Sequence, residues 1–408
     1  MKRSTDRRGI SRRGLLGGAG AGAAGLAAGS AAHRWTGQHD PSLGTVGDTA
    51  VAFHGRHQAG ITTPLQACGY LVAFDLSPGT GRVAAAALSR RWSAAAEAMA
   101  AGRPPVGDDQ IALDAGPCSL TVTFGFGRAF FGKTGLDDRL PPALAPIPPF
   151  PGDALDPARG DGDLWVQIGA DDPLVAVHAL RVLRRTASGT ATVRWQMNGF
   201  NRARGATDRP RTVRNLMGQL DGTGNPDPSD PGYDAKIFVS DTTGSHAWMD
   251  GGSYAVVRRI RMLLDDWDRL PRPRQERVIG RRKDDGAPLS GGTETTPANL
   301  TATRADGTLA IPGDAHIRVA APASNGGATM LRRGFSYHDG LRPDGAPDAG
   351  LLFVAWQADP ITGFVQVQRK LAGADGLTRF IRHESSAVFA VPGGADPGGY
   401  VGQALLEP

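Results

Sequence analysis

The sequence predicts an α+β fold made of two ferredoxin-like halves, each an antiparallel sheet covered by helices. In residues 48–205, strand-like and helix-like segments follow in the order β-α-β-β-α-β, which is the order of the split βαβ unit. In residues 206–408 a second series of such segments follows, although no residue-level repeat links the two halves. The polar and basic connector at 201–214 is where we expect the domain boundary, and 408 residues suffice for two domains.

The elements of the first half follow from hydrophobic periodicity and from turn-forming residues. Continuous apolar runs and β-branched alternation predict strands, whereas an apolar stripe opposite charged residues predicts a helix. Asp172-Pro173 is a capping signal for the second helix. The Pro-rich stretch 140–152 excludes regular structure. We predict strands at 69–76, 119–126, 163–169 and 191–197, and helices at 82–99 and 172–185.

The second half repeats this kind of pattern with a longer irregular stretch in the middle. Residues 252–262 alternate apolar with basic or polar side chains, which is typical of a strand. A helix at 263–272 can continue through 274–280 after Pro273, and the stretch 281–315 is rich in loop-forming residues. Further strands are predicted at 236–239, 351–356 and 387–392, and a further helix at 362–371.

Residues 1–32 are predicted to be an export signal that is removed from the mature protein. Residues 1–13 carry six basic side chains against one acidic, a weakly apolar Gly/Ala run follows, and Ser30-Ala31-Ala32 offers a cleavage site. Residues 11–16 (Ser-Arg-Arg-Gly-Leu-Leu) resemble the twin-arginine motif. A membrane anchor is the weaker interpretation, because Gly and Ala are poor membrane formers. We expect a flexible segment at 33–47 and an extracellular or cell-envelope protein.

The charge balance and the cysteines exclude several classes of partner and cofactor. The chain has 45 Lys and Arg against 40 Asp and Glu, and the excess lies in the predicted signal, so neither nucleic acid nor an anionic membrane is indicated. Cys68 and Cys118 allow one disulfide or two buried thiols, and both alternatives stay open. The absence of a Cys-x-x-Cys-His motif excludes a covalently attached c-type haem.

Three stretches carry side chains that could do chemistry together. Asp221 lies in a glycine-rich turn at 215–226, which alone would be interpreted as a surface turn. His316 follows a Pro-Gly-Asp turn, and a lone histidine is more often structural than a ligand. Arg332 and Arg333 lie between apolar residues, so on a strand one of them should point inward and need an anion or a carboxylate. A base, an imidazole and a fixed cation are the parts that a peroxide-cleaving haem requires.

These stretches together resemble the dye-decolourising (DyP-type) haem peroxidases, in particular their twin-arginine-exported bacterial branch. The Gly-x-x-Asp-Gly signature is present at 218–222, followed by Thr223 and Asn225-Pro226. The His-Ile-Arg element is present at 316–318, and the Leu-Arg-x-Gly-x-x-Tyr element at 331–337. Further matches occur in family order at 57–61, 280–283, 286–289 and 392–394.

The resemblance implies one haem b per chain, held noncovalently in the C-terminal half. It implies that His316 is the proximal iron ligand, that Asp221 is the distal acid/base and that Arg332 is the distal cation. The proximal carboxylate is expected to be Asp375, with Asp359 as the alternative. The remaining expected haem contacts are the loop residues Gly222, Thr223 and Gly224, the distal-wall residue Phe353, and either Arg281 or Arg282 at a propionate.

The resemblance also implies the reaction, in which hydrogen peroxide yields a ferryl porphyrin-radical state and two one-electron oxidations follow. Dyes and phenols are the expected reductants. They would react at the haem edge or through an aromatic relay, for which the candidates are Trp248, Trp267, Trp356, Tyr254 and Tyr337, each more simply explained as a core aromatic. Two alternatives are a haem- or iron-handling protein with little turnover and a cofactor-free binding protein. An oligomer is compatible with the sequence.

Overall fold

The structure is a computed structural model, and it describes residues 46–108, 112, 114–207, 211–240 and 243–407. The predicted signal at 1–32 lies outside the described residues, as does nearly all of the predicted flexible segment at 33–47. Among the described residues, no helix combines the length and the apolar character that crossing a bilayer requires.

Among its described residues, the N-terminal half contains the six predicted elements and one further short α-helix, besides three-residue 3-10 turns. Asp172 opens the third helix as predicted, because its carboxylate accepts hydrogen bonds from the backbone N–H groups of Leu174 (2.7 Å) and Val175 (3.2 Å). The strands are β1 (Cys68–Leu76), β2 (Thr121–Phe126), β3 (Leu164–Ala170) and β4 (Ala191–Phe200), and the helices are α1 (Arg82–Ala100), α2 (Arg128–Thr134) and α3 (Pro173–Ala187).

The C-terminal half contains six described strands and six described short helices. A π-helical turn, Ile361–Val365, precedes its longest helix. The strands are β5 (Ser253–Met262), β6 (Leu331–Arg332), β7 (Phe335–Leu341), β8 (Pro347–Gln357), β9 (Ile381–His383) and β10 (Ala387–Val391). The helices are α4 (Tyr233–Ile237), α5 (Leu264–Asp268), α6 (Arg272–Ile279), α7 (His316–Ala320), α8 (Gln366–Ala374) and α9 (Gln403–Leu406).

The strand order confirms the predicted α+β fold with two ferredoxin-like halves. In the N-terminal half the antiparallel order is β4-β1-β3-β2, and in the C-terminal half it is β7-β8-β5-β10, which is the same arrangement. The halves join at both sheet edges, through the pairs Phe200↔Ser336 and Ala390↔Phe126. Eight described strands therefore form a ring, in which each of the two joins between the halves is a single residue pair. The predicted boundary at residues 205 and 206 stays a prediction.

Alternation along the strands separates an inner core from two outer faces. Leu352, Val354 and Trp356 of β8 lie in the inner core with aromatic residues of both halves, whereas Leu351 and Phe353 point to the outer face. Helices α1 and α3 cover the outer face of the N-terminal sheet. On the C-terminal sheet, helices α7 and α8 stand off from the outer face and leave room for the cavity described below.

Two predicted elements differ from the observed ones. The predicted strand at 236–239 is wrong, because Tyr233–Ile237 forms a helical turn closed by the Phe238 N–H donating to Asp234 O (2.7 Å). A short apolar run does not distinguish a buried strand from a buried helical turn. The predicted helix at 263–272 is shorter than expected, because α5 ends at Asp268 and Pro271 has an extended backbone. The predicted continuation at 274–280 is present as the separate helix α6.

Both cysteines are free thiols in this structure. Cys118 donates its thiol hydrogen to Ala115 O at 2.7 Å. Burial is the main reason why the pKa of Cys68 is raised, and the charge of Asp172 adds to this effect. Of the two alternatives that the sequence left open, the structure contains the pair of thiols.

Gly69 should be among the residues where an added methyl group is least tolerated. A Cβ at Gly69 would lie 2.4 Å from ring atoms of Phe335, a fully buried residue of β7 where the two halves join. Gly69→Ala is therefore expected to lower the free energy of unfolding by about 1–3 kcal/mol, measured by equilibrium denaturation. Gly373→Ala in α8 is the matched control, because a Cβ there meets nothing within 4 Å. Equal stability of the two variants would contradict the prediction.

Candidate active site

A cavity of ≈ 500 Å³ lies on the outer face of the C-terminal sheet. Its floor consists of outward-facing residues of β5 and β8, such as Met262 and Phe353, and its opposite wall includes Val367 and Leu371 of α8. This volume is within the range of small-molecule and cofactor sites, which are mostly apolar with a few placed polar groups. The polar groups come from loops, from β6, from the start of α7 and from the end of α8.

The loop at 215–226 places Asp221 in the wall of this cavity rather than on the free surface. Asn215 organises the loop, since its Oδ1 accepts from the Met217 N–H (3.0 Å) and its Nδ2 donates to Asp221 Oδ2 (3.2 Å). The backbone N–H of Asp221 donates to Val213 O at 2.9 Å. Gly222 follows with a φ of 115°, a conformation that favours glycine. The carboxylate is thus held on one oxygen, and the other is left for a ligand.

Glu294 fixes the second part of the same loop. Its Oε1 accepts hydrogen bonds from the hydroxyls of Thr212 (2.5 Å) and Thr223 (3.0 Å). Its backbone carbonyl accepts from Arg281 Nη1 at 2.9 Å, and Arg281 itself lines the cavity. Burial lowers the pKa of Arg281; the charge of Glu294 opposes this effect and that of Arg332 adds to it. Glu294 was not predicted from the sequence, because no motif links it to Thr223.

Arg332 enters the cavity from β6, where it pairs with Ala355. Asn225 holds it in place: Asn225 Oδ1 accepts from the Arg332 backbone N–H (2.9 Å) and from Nε (3.3 Å), and Asn225 Nδ2 donates to Arg332 O (2.8 Å). Asn225 of the motif therefore fixes the position of Arg332.

Arg333 points the opposite way, as strand alternation requires, but its partners differ from the expected ones. A carboxylate acts on the buried arginine only through its charge, since Asp171 opposes the effect of burial on the pKa of Arg333. Arg333 donates to three neutral oxygens, namely Thr63 O (2.8 Å), Pro64 O (3.0 Å) and Gln66 Oε1. Burial lowers the pKa of Arg333 to about 10. This residue ties β6 to the N-terminal half.

His316 begins α7 and faces the cavity with Asp375 behind it. His316 Nδ1 lies 2.6 Å from Asp375 Oδ2, and Asp375 Oδ1 accepts from the Leu377 N–H at 2.9 Å. Burial works to lower the pKa of His316, but the charge and hydrogen bond of Asp375 raise it above the usual value. A carboxylate on Nδ1 fixes the tautomer that leaves Nε2 free to bind a metal. Asp359 does not line the cavity, and its Oδ1 accepts a hydrogen bond from the Ile361 N–H at 2.7 Å.

A second histidine, His383, also lines the cavity and was not predicted from the sequence. Its Nε2 is 3.4 Å from Gln368 Nε2, and no carboxylate contacts the ring in the described residues. Burial, followed by the charge of Arg258, lowers the pKa of His383 to about 3, so its ring is neutral. His316 and not His383 has the carboxylate partner that is common behind metal-ligating histidines.

The structure brings most of the predicted site residues together. The predicted residues that line the cavity are Asp221, Gly222, Thr223, Gly224, Arg281, His316, Arg332, Phe353 and Asp375. Arg282 lies outside it, because its guanidinium pairs with Asp285 on the surface, with Nη2 and Oδ2 2.6 Å apart. None of the five aromatic relay candidates lines the cavity, and all five are buried in the core. The sequence did not distinguish Arg281 from Arg282, since the two arginines are neighbours in one motif.

The chemistry of this donor set fits a haem. Within the described ranges no group of three or more His, Cys, Asp or Glu side chains could hold a metal ion. An imidazole with a free Nε2 in a largely apolar cavity suits an iron whose other ligands belong to a macrocycle. The glycine-rich loop adds to the fit, because a Cβ at Gly222 would meet no atom closer than 3.8 Å, which is consistent with backbone that can approach a flat ligand.

Two family models match most of the chain. The model described as "Dyp-type peroxidase, N-terminal" matches residues 58–201, and the one described as "Dyp-type peroxidase, C-terminal" matches residues 212–396. Among curated proteins, a dye-decolorizing peroxidase of Thermobifida fusca (strain YX) is 44% identical over 425 residues, covering 99% of each chain. A deferrochelatase of Escherichia coli (strain K12) is 35% identical over 373 residues, covering 87% of each chain.

Solved structures agree with these matches. Ferric DtpA from Streptomyces lividans is similar with a TM-score of 0.87 and 61% identity, covering 89% of this chain and 98% of that chain. A DyP-type peroxidase from Cellulomonas bogoriensis is similar with a TM-score of 0.84 and 44% identity, covering 89% and 100%. Since both family models match and these relatives align over nearly the whole chain, the protein belongs to the Dyp-type peroxidase family of haem-dependent enzymes.

Proposed function

We propose that this chain is an exported peroxidase that holds one haem b noncovalently, reduces hydrogen peroxide and oxidises dyes, phenols or other one-electron donors. The observation that carries the proposal is the convergence of Asp221, Arg332 and His316 on one cavity. Export by the twin-arginine pathway, to the cell envelope or the medium, rests on the sequence of residues 11–16. The ferryl state and the two one-electron oxidations that the sequence resemblance implies stay a prediction.

His316 is proposed to hold the haem iron through Nε2. Asp375 accepts the hydrogen bond from Nδ1, which increases the donor strength of the imidazole. Gly222, Thr223 and Gly224 would lie along the haem edge, Phe353 against its distal face, and Arg281 near a propionate. When bound, haem supplies an iron that can take up the oxidising equivalents of peroxide.

Asp221 is proposed to move a proton between the two peroxide oxygens. Its Oδ2 is held by Asn215, so the other carboxylate oxygen would accept a proton from one peroxide oxygen and return it to the other. Asn215 and the Asp221 backbone N–H restrict the carboxylate to this position. Pre-positioning of this kind is what general acid–base catalysis requires.

Arg332 is proposed to stabilise the negative charge that develops on the leaving oxygen. Asn225 fixes both its backbone and its Nε, so the guanidinium needs little reorganisation when charge appears. The Arg332 charge also acts on His316 and on Arg281, which means that all three side chains share one electrostatic environment.

Spectroscopy and turnover of the haem-loaded protein test the proposal. The expected result is a Soret band, its change on adding hydrogen peroxide, and peroxide-dependent oxidation of an anthraquinone dye or a phenol. Denatured protein with the same haem content is the control for free haem. The proposal would be contradicted if peroxide left the spectrum of the holoprotein unchanged and the holoprotein oxidised neither donor.

A haem- or iron-handling role is the second candidate, and the relatives named deferrochelatase favour it. This role predicts that incubation with haem, without peroxide, yields iron-free porphyrin, which is detected by its fluorescence. The peroxidase role predicts intact haem under the same conditions. Retention of both Asp221 and Arg332 in the cavity favours the peroxidase.

A further inference from the structure

A second, smaller cavity of ≈ 200 Å³ lies beside the haem cavity. Its wall combines apolar side chains with three arginines and one aspartate. The apolar residues are Leu270, Val278, Pro312 and Phe380, the charged ones are Arg274, Arg277, Arg379 and Asp314, and Gly376 completes the wall. Nothing in the peroxide chemistry described above uses these arginines.

The three arginines of this cavity are unpaired, unlike their neighbours. In the part of the chain that the structure describes, no side-chain hydrogen bond or ion pair involves Arg274, Arg277 or Arg379. Next to them, Arg269 pairs with Asp266 at 2.6 Å, and Arg272 pairs with Glu276 and Asp284 at 2.9 Å each. Three guanidinium groups against the one carboxylate of Asp314 give this concave site a net positive charge, which attracts an anion. A guanidinium binds a carboxylate with two parallel hydrogen bonds.

The small cavity shares a wall with the haem cavity. In residues 376–381, Gly376, Arg379 and Phe380 face the small cavity, while Leu377, Thr378 and Ile381 face the large one. This wall directly follows Asp375, the partner of His316. The small cavity is therefore on the His316 side, away from the groups that we propose to cleave peroxide.

An aromatic pair also connects the two cavities. The ring of Phe380 is edge-on to that of Trp267, with centroids 5.4 Å apart. Trp267 Nε1 donates to Met217 O at 3.1 Å, and Met217 lines the haem cavity. An electron donor in the small cavity would be separated from the haem cavity by Phe380, Trp267 and the backbone of Met217.

We propose that the small cavity binds a single-ring aromatic anion that donates electrons to the enzyme, namely a phenol with a carboxylate group. The apolar wall contacts the ring, the arginines bind the carboxylate, and Asp314 accepts a hydrogen bond from the phenolic hydroxyl and disfavours a second negative group. The limited volume selects a small molecule over a macromolecular segment.

This assignment rests on the proposed peroxidase function and specifies its reductant. Two donor molecules each lose one electron and one proton and become phenoxyl radicals, while one hydrogen peroxide takes both electrons and both protons and becomes two waters. The only oxidant required is the peroxide of the proposed function.

Binding to the ferric holoprotein, without peroxide, tests the site independently of turnover. Titration calorimetry with phenylacetate is expected to show binding that leaves the Soret band unchanged, and the neutral phenylethanol should bind far more weakly. In Arg277→Gln/Arg379→Gln, phenylacetate should bind about tenfold more weakly, a loss of roughly 1.4 kcal/mol. The matched control is Arg269→Gln/Arg272→Gln, which removes the same charge from paired arginines and should bind phenylacetate like the parent.

Several results would overturn the assignment. These are equal affinity for phenylacetate and phenylethanol, equal weakening in the two double variants, and a Soret shift that places the ligand in the haem cavity. Inorganic phosphate binding as tightly as phenylacetate would overturn the role of the ring and leave an anion site only.

Turnover provides a separate test of the donor role. With para-hydroxyphenylacetate as donor, Arg277→Gln/Arg379→Gln should raise KM about tenfold with little change in kcat. With the neutral donor tyrosol, the same variant should behave like the parent. If phenylacetate binds but the parent oxidises neither donor, the peroxidase function fails and the binding site stands.

Discussion

His316→Ala is expected to abolish stable haem binding, seen as the loss of the Soret band after purification with added haem. The physical reason is that His316 offers a free Nε2 to the cavity while Asp375 holds Nδ1 at 2.6 Å. Without the imidazole, the only other histidine in the cavity wall is the neutral His383, which has no carboxylate partner in the described residues. Asp375→Asn keeps the ligand but weakens its donor strength, so a smaller loss of roughly 10- to 100-fold in haem affinity is expected.

His383→Ala is the matched control, since it removes an imidazole of the same cavity. It should keep the Soret band at the position and intensity of the parent. Adding free imidazole to His316→Gly should restore part of the haem binding, because the small molecule can occupy the vacated position. A His316→Ala protein with a normal haem spectrum, together with loss of haem in His383→Ala, would transfer the ligand role to His383.

The fold could be predicted as far as local periodicity determines it. The order β-α-β-β-α-β in the first half follows from alternation and from the Asp172 cap, and both are present in the structure. The closure of the two sheets into one ring could not be predicted, because it depends on single residue pairs such as Phe200↔Ser336 between distant segments. The run at 236–239 shows the same limit, since its apolar residues are buried in either conformation.

The candidate site could be predicted where one residue dominates a motif, and not where partners come from elsewhere in the chain. Asp221, His316 and Arg332 each lie in a short recognisable stretch. Asp375 was preferred over Asp359 from the sequence, and Asp375 lies in the cavity wall. The choice of Arg281 over Arg282 needs the tertiary structure, because the two arginines are neighbours in one motif. Glu294 carries no motif at all, although it holds Thr223 at 3.0 Å.

Replacing the distal groups is expected to slow the reaction with peroxide while haem stays bound. Arg332→Leu removes the cation that faces the developing charge, and a loss of roughly 10²–10³-fold in the second-order rate constant is expected. Asp221→Asn keeps the size and the hydrogen bond to Asn215 but cannot shuttle the proton, and roughly 10²–10⁴-fold is expected. Stopped-flow absorbance of the ferric enzyme with hydrogen peroxide measures both constants. Asp227→Asn, which neutralises an exposed carboxylate just after the same loop, should react like the parent.

The double variant decides how the two groups share this step. If Asp221 and Arg332 act on the same transition state, the loss in Asp221→Asn/Arg332→Leu should be smaller than the product of the two single losses, because either change already disables the concerted step. If they act independently, the losses multiply. Arg332→Lys separates charge from geometry: it keeps the cation but loses the Nε contact with Asn225, so it should fall between Arg332→Leu and the parent. A full rate constant in Asp221→Asn would leave Arg332 as the main group and remove the proton shuttle from the mechanism.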